Sequence, residues 1–278
     1  MLYLFLSSVW LLIVNLSPSN FLMYSAERRQ QILELVEKDA RVSVAELACQ
    51  FDVSRASIRR DLNYLYSSGL LERTYGGALR NSEKNGEAPF AERRVAQLDE
   101  KEKIGKAAAQ FVPEGGTIFM DGGTTTECIV PYLQTKTPLT VVTYGLNVVN
   151  RLVSNEQITV IAIGGTLHRR SQTFSGILAL DMLQAHNLHF DVAFIAASGV
   201  SAEAGVTNAS LEEISIKRYA VAAAQQTILL VDSSKVGVIA TGRIVPIEKV
   251  QRLVTSNKAP KHELDALRLR GVEIELVV

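Results

Sequence analysis

Two groups of side chains in this sequence have the types and spacing that recognition chemistry needs. The first is cationic: Arg55, Arg59 and Arg60, with Ser54 and Ser57 between them, fall in the stretch SRASIRRDL. Arginines at the start of a helix can neutralise phosphates and hydrogen-bond to base edges if the helix fits a groove about 12 Å wide. The second group is a set of small polar loops, each following an apolar run. Gly122-Gly123-Thr124-Thr125-Thr126 follows TIFMD, which ends at Asp121; Tyr144-Gly145-Leu146-Asn147 follows LTVVT; Gly164-Gly165-Thr166 follows ITVIAI. Ser198-Gly199-Val200 and Asp232-Ser233-Ser234-Lys235 repeat the pattern. Glycines let backbone amides approach a ligand closely, hydroxyls add donors, and a helix N-terminus favours an anion. One such loop is usually a turn, so the weight lies in finding five at strand ends. Neither the dinucleotide pattern GxGxxG nor the P-loop pattern occurs, so a small phosphate is expected rather than a nucleotide, and no cofactor is implied.

The elements that position the first group lie upstream of residue 80. From Ala26 the pattern is helical, with Ile32, Leu33, Leu35 and Val36 near one face. Ser43 reads as the cap of a second helix, with Glu46 completing a capping box and Val44, Leu47 and Ala48 facing inward. Phe51-Asp52-Val53 reads as a tight turn. Ser54 then caps a third helix that Gly69 ends, and its apolar residues Ile58, Leu62 and Leu65 form one stripe. A helix, a tight turn and a helix with arginines at its start is helix-turn-helix geometry. LLERTYGGAL reads as two strands around Gly76-Gly77, a wing that sets Arg73 or Tyr75 against a backbone. The plainer alternative is a helical bundle with a solvated basic face, in which Arg59 and Arg60 pair with Asp61 or Glu72.

Beyond it, residues 81–97 read as a linker, beginning with the polar run NSEKNGEA. AERRVAQLDEKEKIGKAAAQF reads as helix. Short apolar runs then alternate with helices: TIFMD, LTVVT, ITVIAIG, DVAFIAA, TILLVD, RLVTS and VEIELVV. That alternation predicts a parallel sheet covered on both faces, with ligands beyond the carboxyl ends of its strands.

Composition sets the outer limits. The 278 residues carry 29 Lys plus Arg against 29 Asp plus Glu, with 47% hydrophobic and 21% charged residues. This mix excludes a disordered chain, a collagen, a coiled-coil rod and a multi-span membrane protein. Two cysteines, Cys49 and Cys128, form no disulfide scaffold, and a reducing cytoplasm is the default. Cys49 is expected in the core. No charged side chain precedes Glu27, and Leu2 to Leu16 is nearly all apolar, slightly short of the roughly 17–25 residues that span a membrane. Residues 1–22 therefore read either as an anchor or as upstream sequence read in frame, with Met23 the expected start; a membrane partner is expected only if they are genuine.

Residues from Glu27 to Leu79 resemble the DeoR-type family of bacterial repressors through ERRQQIL, VSVAELACQFDVS, SIRRDLNYL and GLLERTYGGA. The resemblance implies that residues 23–80 form a winged helix-turn-helix whose IRRDL helix enters the major groove of operator DNA. It assigns base or phosphate contact to Ser54, Arg55, Ser57, Arg59 and Arg60, with Ser43, Arg73 and Tyr75 as further contacts. The likeness continues through DGGTTTE, the later Ser175-Gly176, DVAFIAASGVSAEAGVT and VDSSK. These resemble the family's sensor domain, here residues 98–278, which is similar in fold to ribose-5-phosphate isomerase and senses a phosphorylated sugar. Gly122, Gly123, Thr124, Thr125 and Thr126 would then hold the phosphate and Gly164 and Gly165 would border the pocket. Asp121, Asn147, Glu203, Lys217 and Lys235 would face the sugar. Gly122 departs from the family, whose members often carry a larger residue there.

The resemblance implies a repressor, assembled as a dimer or tetramer for paired half-sites and relieved by a sugar phosphate. The competing reading is a sugar-phosphate isomerase with a DNA-binding appendage, using Glu203 and Lys235 as its proton-transfer groups. No metal site is expected, since His186 and His189 lack a third partner.

Overall fold

The computed structural model describes residues 25–39, 41–67, 70–74, 76–80, 88–136 and 138–278. The chain divides into two compact units, residues 1–81 and 82–278. The expectations for residues 1–22, for Met23 as the start, for Gly69 as the end of the third helix, for Tyr75 and for most of the polar run after Arg80 lie outside the described residues.

In the first unit, α1 spans Ser25–Asp39, β1 Arg41–Ser43, α2 Val44–Gln50, α3 Arg55–Ser67, β2 Leu71–Thr74 and β3 Gly77–Arg80. The capping box forms as the sequence requires: Glu46 N donates to Ser43 Oγ, and Ser43 N donates to the Glu46 carboxylate, both at 3.1 Å. Ser54 caps α3 in the same manner, its Oγ accepting from Ser57 N at 3.1 Å. Ile32, Val36, Leu47, Ile58, Leu62, Leu65 and Leu71 pack into one core. Cys49 is not part of it. Two positions beyond buried Leu47 on α2, it faces away and is exposed. The wing is larger than expected, because β1 pairs with β3 to give a three-stranded sheet of order β1-β3-β2. Gly77 permits that pairing, since a Cβ there would stand 2.1 Å from the Val42 carbonyl oxygen.

The second unit begins with α4 Phe90–Val95 and α5 Leu98–Ala108. The sequence predicted one helix here. It breaks at Ala96-Gln97, where Gln97 takes a left-handed φ of 53°, and buried Phe90 ties α4 down. Then follow β4 Thr117–Met120, a 3-10 segment Thr126–Thr135, β5 Leu139–Thr143, α6 Leu146–Leu152, β6 Ile158–Ala162, β7 Thr166–His168, β8 Thr173–Ser175 and α7 Ile177–Ala185. The second half carries β9 Phe190–Ile195, β10 Gly199–Ser201, β11 Gly205–Asn208, α8 Ile214–Ala223, β12 Ala224–Leu230, β13 Gly242–Val245, β14 Arg252–Ser256, α9 Lys261–Leu269 and β15 Glu273–Val277.

All seven apolar runs enter one parallel sheet of order β15-β14-β12-β9-β4-β5-β6. Side chains alternate between two cores: Phe119 and Ile195 lie in one, Ile118, Met120 and Phe194 in the other. Burial on both faces explains why β4, β5, β9, β12 and β14 read as apolar runs, while the edge strands β6 and β15 are only partly covered. The strand order also marks the ligand edge. The chain runs from β4 outward through β5 and β6, then returns to place β9 on the other side of β4. The crevice between the carboxyl ends of β4 and β9 is thus a topological switch point, where open parallel sheets bind ligands.

Candidate functional site

On the first unit, α3 turns Ile58, Asp61, Leu62 and Leu65 inward and leaves Arg55, Arg59 and Arg60 exposed. The solvated-bundle alternative paired Arg59 and Arg60 with Asp61. Asp61 is instead buried against α1, where Arg28 Nε donates to its Oδ2 at 2.7 Å and Arg29 Nε lies 3.6 Å from Oδ1. Arg29 also stacks over the Tyr64 ring at 4.0 Å. Two cations from α1 thus satisfy the one carboxylate of α3, and its own arginines stay on the outer face. Arg60 makes only a 3.3 Å contact to Ser57 Oγ among the described residues. Arg73 is turned onto α3, donating to Asn63 Oδ1 and to the Arg59 carbonyl, so it braces that helix. Ser43 and Ser54 act as caps.

On the second unit, the sheet brings the polar loops to one edge, and a small cavity of about 10 Å³, room for about one water, lies at the switch point. Arg93, Asp121, Gly122, Gly123, Thr173 and Lys217 line it, with Ala196, Ala197 and Glu213. Asp121 leaves the end of β4 and is 1% exposed. Its carboxylate accepts from Tyr144 Oη at 2.5 Å, Ala196 N at 2.8 Å and Lys217 Nζ at 3.0 Å. Lys217, on α8, is equally buried and also donates to the Ala196 carbonyl at 3.0 Å and Asn208 Oδ1 at 3.1 Å, with Glu213 Oε2 at 3.4 Å. Glu213 in turn accepts from Thr173 Oγ1 at 3.1 Å. Burying this many charges is costly unless each is paired and hydrogen-bonded, which these are.

The loop after Asp121 is different. Gly122, Gly123, Thr124 and Thr125 are buried, yet none of their four amides donates a hydrogen bond to a described residue. Buried backbone donors rarely stay unmatched, so a row of them is a ready receptor for an anion. The Thr126 hydroxyl is spent on the loop itself, against the Asp121 and Gly123 carbonyls at 2.7 and 2.8 Å. Both glycines are demanded by close neighbours. A Cβ on Gly123 would sit 2.4 Å from that of Ala196, and one on Gly122 would sit 2.6 Å from Thr173 Cγ2. Thr173 thus fills the space that a larger residue at position 122 would need. The segment that follows is a 3-10 helix, with Pro131 inside it removing a backbone donor.

Thr124 faces a neighbouring cavity with Arg94, Glu127, Cys128 and Arg151. Buried Glu127 accepts there from Asn147 Nδ2 at 3.1 Å and pairs with Arg151 and Arg94. Burial, then the Glu127 carboxylate, pushes the Cys128 thiol up to about 11. Lys101, buried on α5, donates to the Arg93 carbonyl, and burial lowers its ammonium from the usual lysine range against the pull of Asp232.

Of the predicted effector residues, the structure gathers Asp121, Gly122, Gly123 and Lys217 around one cavity and keeps Thr124, Thr125 and Thr126 in its loop. Asn147 serves Glu127 next door. Gly164 and Gly165 lie between β6 and β7, with Gly164 exposed, and Lys235 is half-buried beyond β12. Glu203 is exposed in the turn between β10 and β11, outside the lining. Sequence reasoning missed Thr173, Asn208, Glu213 and Arg93, and it named Tyr144 only as part of a loop, without its contact to Asp121. Only Glu213 left a usable signal, its i, i+4 spacing to Lys217. His186 and His189 are exposed past the end of α7, and no metal-binding group of three forms among the described residues. Nor is any helix there long and apolar enough to cross a membrane.

A winged helix with outward arginines, on one chain with an α/β unit holding a charged cavity at its switch point, defines a two-part DNA-binding regulator. Residues 28–84 match the DeoR-like helix-turn-helix domain and residues 96–257 the DeoR C terminal sensor domain, so the chain belongs to the DeoR family of transcriptional regulators. It is 34% identical over 254 residues to the HTH-type transcriptional regulator GolR of Listeria innocua, covering 91% of this chain and 99% of that protein. It is 33% identical over 255 residues to the glycerol-3-phosphate regulon repressor of Escherichia coli K12, covering 91% and 100%. Among solved structures, ribose 5-phosphate isomerase A from Methanocaldococcus jannaschii aligns at a TM-score of 0.37 and 17% identity, over 50% of this chain and 55% of that one. That likeness is too low to bear on chemistry.

Proposed function

We propose that this chain represses a carbohydrate-utilisation operon and that a phosphorylated sugar in the switch-point cavity relieves the repression. The observation that carries this reading is the run of four unclaimed amides at Gly122–Thr125 beside Asp121 and Lys217. The amides suit a phosphate, and the carboxylates and Thr173 beside them suit sugar hydroxyls. The name of the E. coli relative, a repressor of a phosphorylated polyol's regulon, agrees with that chemistry. Ser54, Arg55, Ser57, Arg59 and Arg60 would contact operator DNA, in the cytoplasm, with two or four copies reading paired half-sites. Effector and DNA would oppose each other by linkage, each weakening the other's binding by one shared factor.

An isomerase is not favoured, because Glu203, the carboxylate it would need, is exposed and away from the cavity lining. The test is a panel of phosphorylated sugars and polyols, screened first by thermal shift of the full chain. Hits are then added to a complex with duplex DNA from upstream of the chain's own gene. One compound should both raise the melting temperature and release the DNA; release by none, or chemical conversion of any, overturns the reading.

A further inference from the structure

Resting on that reading of the cavity, we propose that the short helix α4 is a displaceable plug. Its Arg93 carbonyl stands where the anion binds, and the effector must push the helix aside. The case starts from space. The cavity at the switch point has room for about one water, too little for a phosphate, so part of its wall must move. Most of the lining is held fast: Asp121 and Glu213 both grip buried Lys217, and Thr173 is bonded to Glu213. Arg93 enters the lining from α4, a helix of six residues without a side-chain cap at its start. Ala91, Glu92, Arg94 and Val95 are exposed, and Phe90 is the one buried residue of the helix. A segment with so little burial opens at low free energy.

The plug's chemistry follows from how α4 ends. The helix breaks at Ala96-Gln97, so the Arg93 carbonyl takes its donors from elsewhere. They are buried Lys101 on α5 and Thr124 Oγ1, the latter at 3.5 Å. Thr124 belongs to the loop of four open amides, and Lys101 has only a long ion pair besides, to Asp232 at 4.0 Å. A buried ammonium and a hydroxyl that converge on one oxygen, beside open amides, make a receptor for an anion. In this structure the oxygen is a backbone carbonyl. A phosphate oxygen carries formal charge and bonds more strongly to the same donors, so phosphate and docked α4 exclude each other. In the chain, α4 is the first element after the wing among the described residues, so entry of the anion frees the segment that leads from the DNA reader.

The experiment is amide exchange of the full chain with and without inorganic phosphate, joined to calorimetric titration of the wild type and Phe90→Ala. Phosphate should slow exchange at residues 122–125 and speed it about ten-fold or more at residues 93–96, a readout that needs no variant to fold. Phe90→Ala loosens the anchor of α4 and should bind phosphate about ten-fold more tightly, because docking of the plug no longer competes. Exchange at residues 93–96 that slows or holds while phosphate binds overturns the plug and leaves the cavity reading standing. Equal or weaker binding by a folded Phe90→Ala does the same. Absence of phosphate binding in both proteins overturns both readings.

Discussion

Each unit buries a carboxylate against a cation, and the two arrangements serve different ends. In the first, Asp61 meets Arg28 and Arg29, and the pair closes the contact between α1 and α3. In the second, Asp121 and Glu213 meet Lys217 at the rim of a cavity, next to four amides that donate to nothing described. A buried ion pair alone thus says little about function, because both networks are internally satisfied. What separates them is the unmatched donors nearby, which only an outside group can satisfy.

That distinction can be broken by mutation. The largest effects should come from the pairs themselves: Lys217→Ala and Asp61→Ala should each cost about 3–5 kcal/mol of unfolding free energy, since each strands a buried charge. Urea unfolding measures the cost. Only Lys217→Ala should also lose phosphate binding, and loss of binding in Asp61→Ala would erase the contrast. Next is Arg60→Ala, which should weaken binding to duplex DNA by about 1–3 kcal/mol and flatten its salt dependence. Unfolding and phosphate titration should match the wild type; a fall in phosphate affinity would mean the two roles are not separately housed. Ser43→Ala should cost about 1 kcal/mol through the lost cap, visible in the first unit's melting and not in phosphate binding. The smallest effect concerns the cysteines. Exposed Cys49 should be alkylated by iodoacetamide at pH 8 while Cys128 stays unlabelled by mass spectrometry. The stability that the neutral Cys128 thiol contributes should be complete below about pH 9 and lost as pH rises through about 11.

Much of the scaffold was legible because its rules are local. All seven strands of the parallel sheet announced themselves as largely apolar runs, and the caps at Ser43 and Ser54 followed from residue type. What stayed hidden depends on who is adjacent in space. Strand β1 is three residues long, and its pairing with β3 rests on the absence of a side chain at Gly77. Thr173 and Glu213 line the cavity, and Tyr144 holds Asp121 in place there, only because the strand order folds distant segments onto one edge. Arg93 was hidden by its surroundings in sequence: a charged stretch beside a polar run reads as linker, and only the break at Gln97 and the burial of Phe90 make it part of the sensor. The same locality explains Asp61, whose true partners lie 33 and 32 positions upstream rather than next door.

The switch point also has a consequence in time. Strand β4 pairs with β9, joining Ile118 to Val192 across more than a quarter of the chain. Such non-local pairing is slow, whereas the helices around Ile58 and Leu62 form from near neighbours. Synthesis from the N-terminus adds to the delay, as the ribosome delivers the first unit long before β9 exists. Pulse-labelled refolding should therefore protect the Ile58 and Leu62 amides ahead of those in β4 and β9. Each new molecule would pass through an interval in which it can grip a chromosome but cannot yet be told to let go.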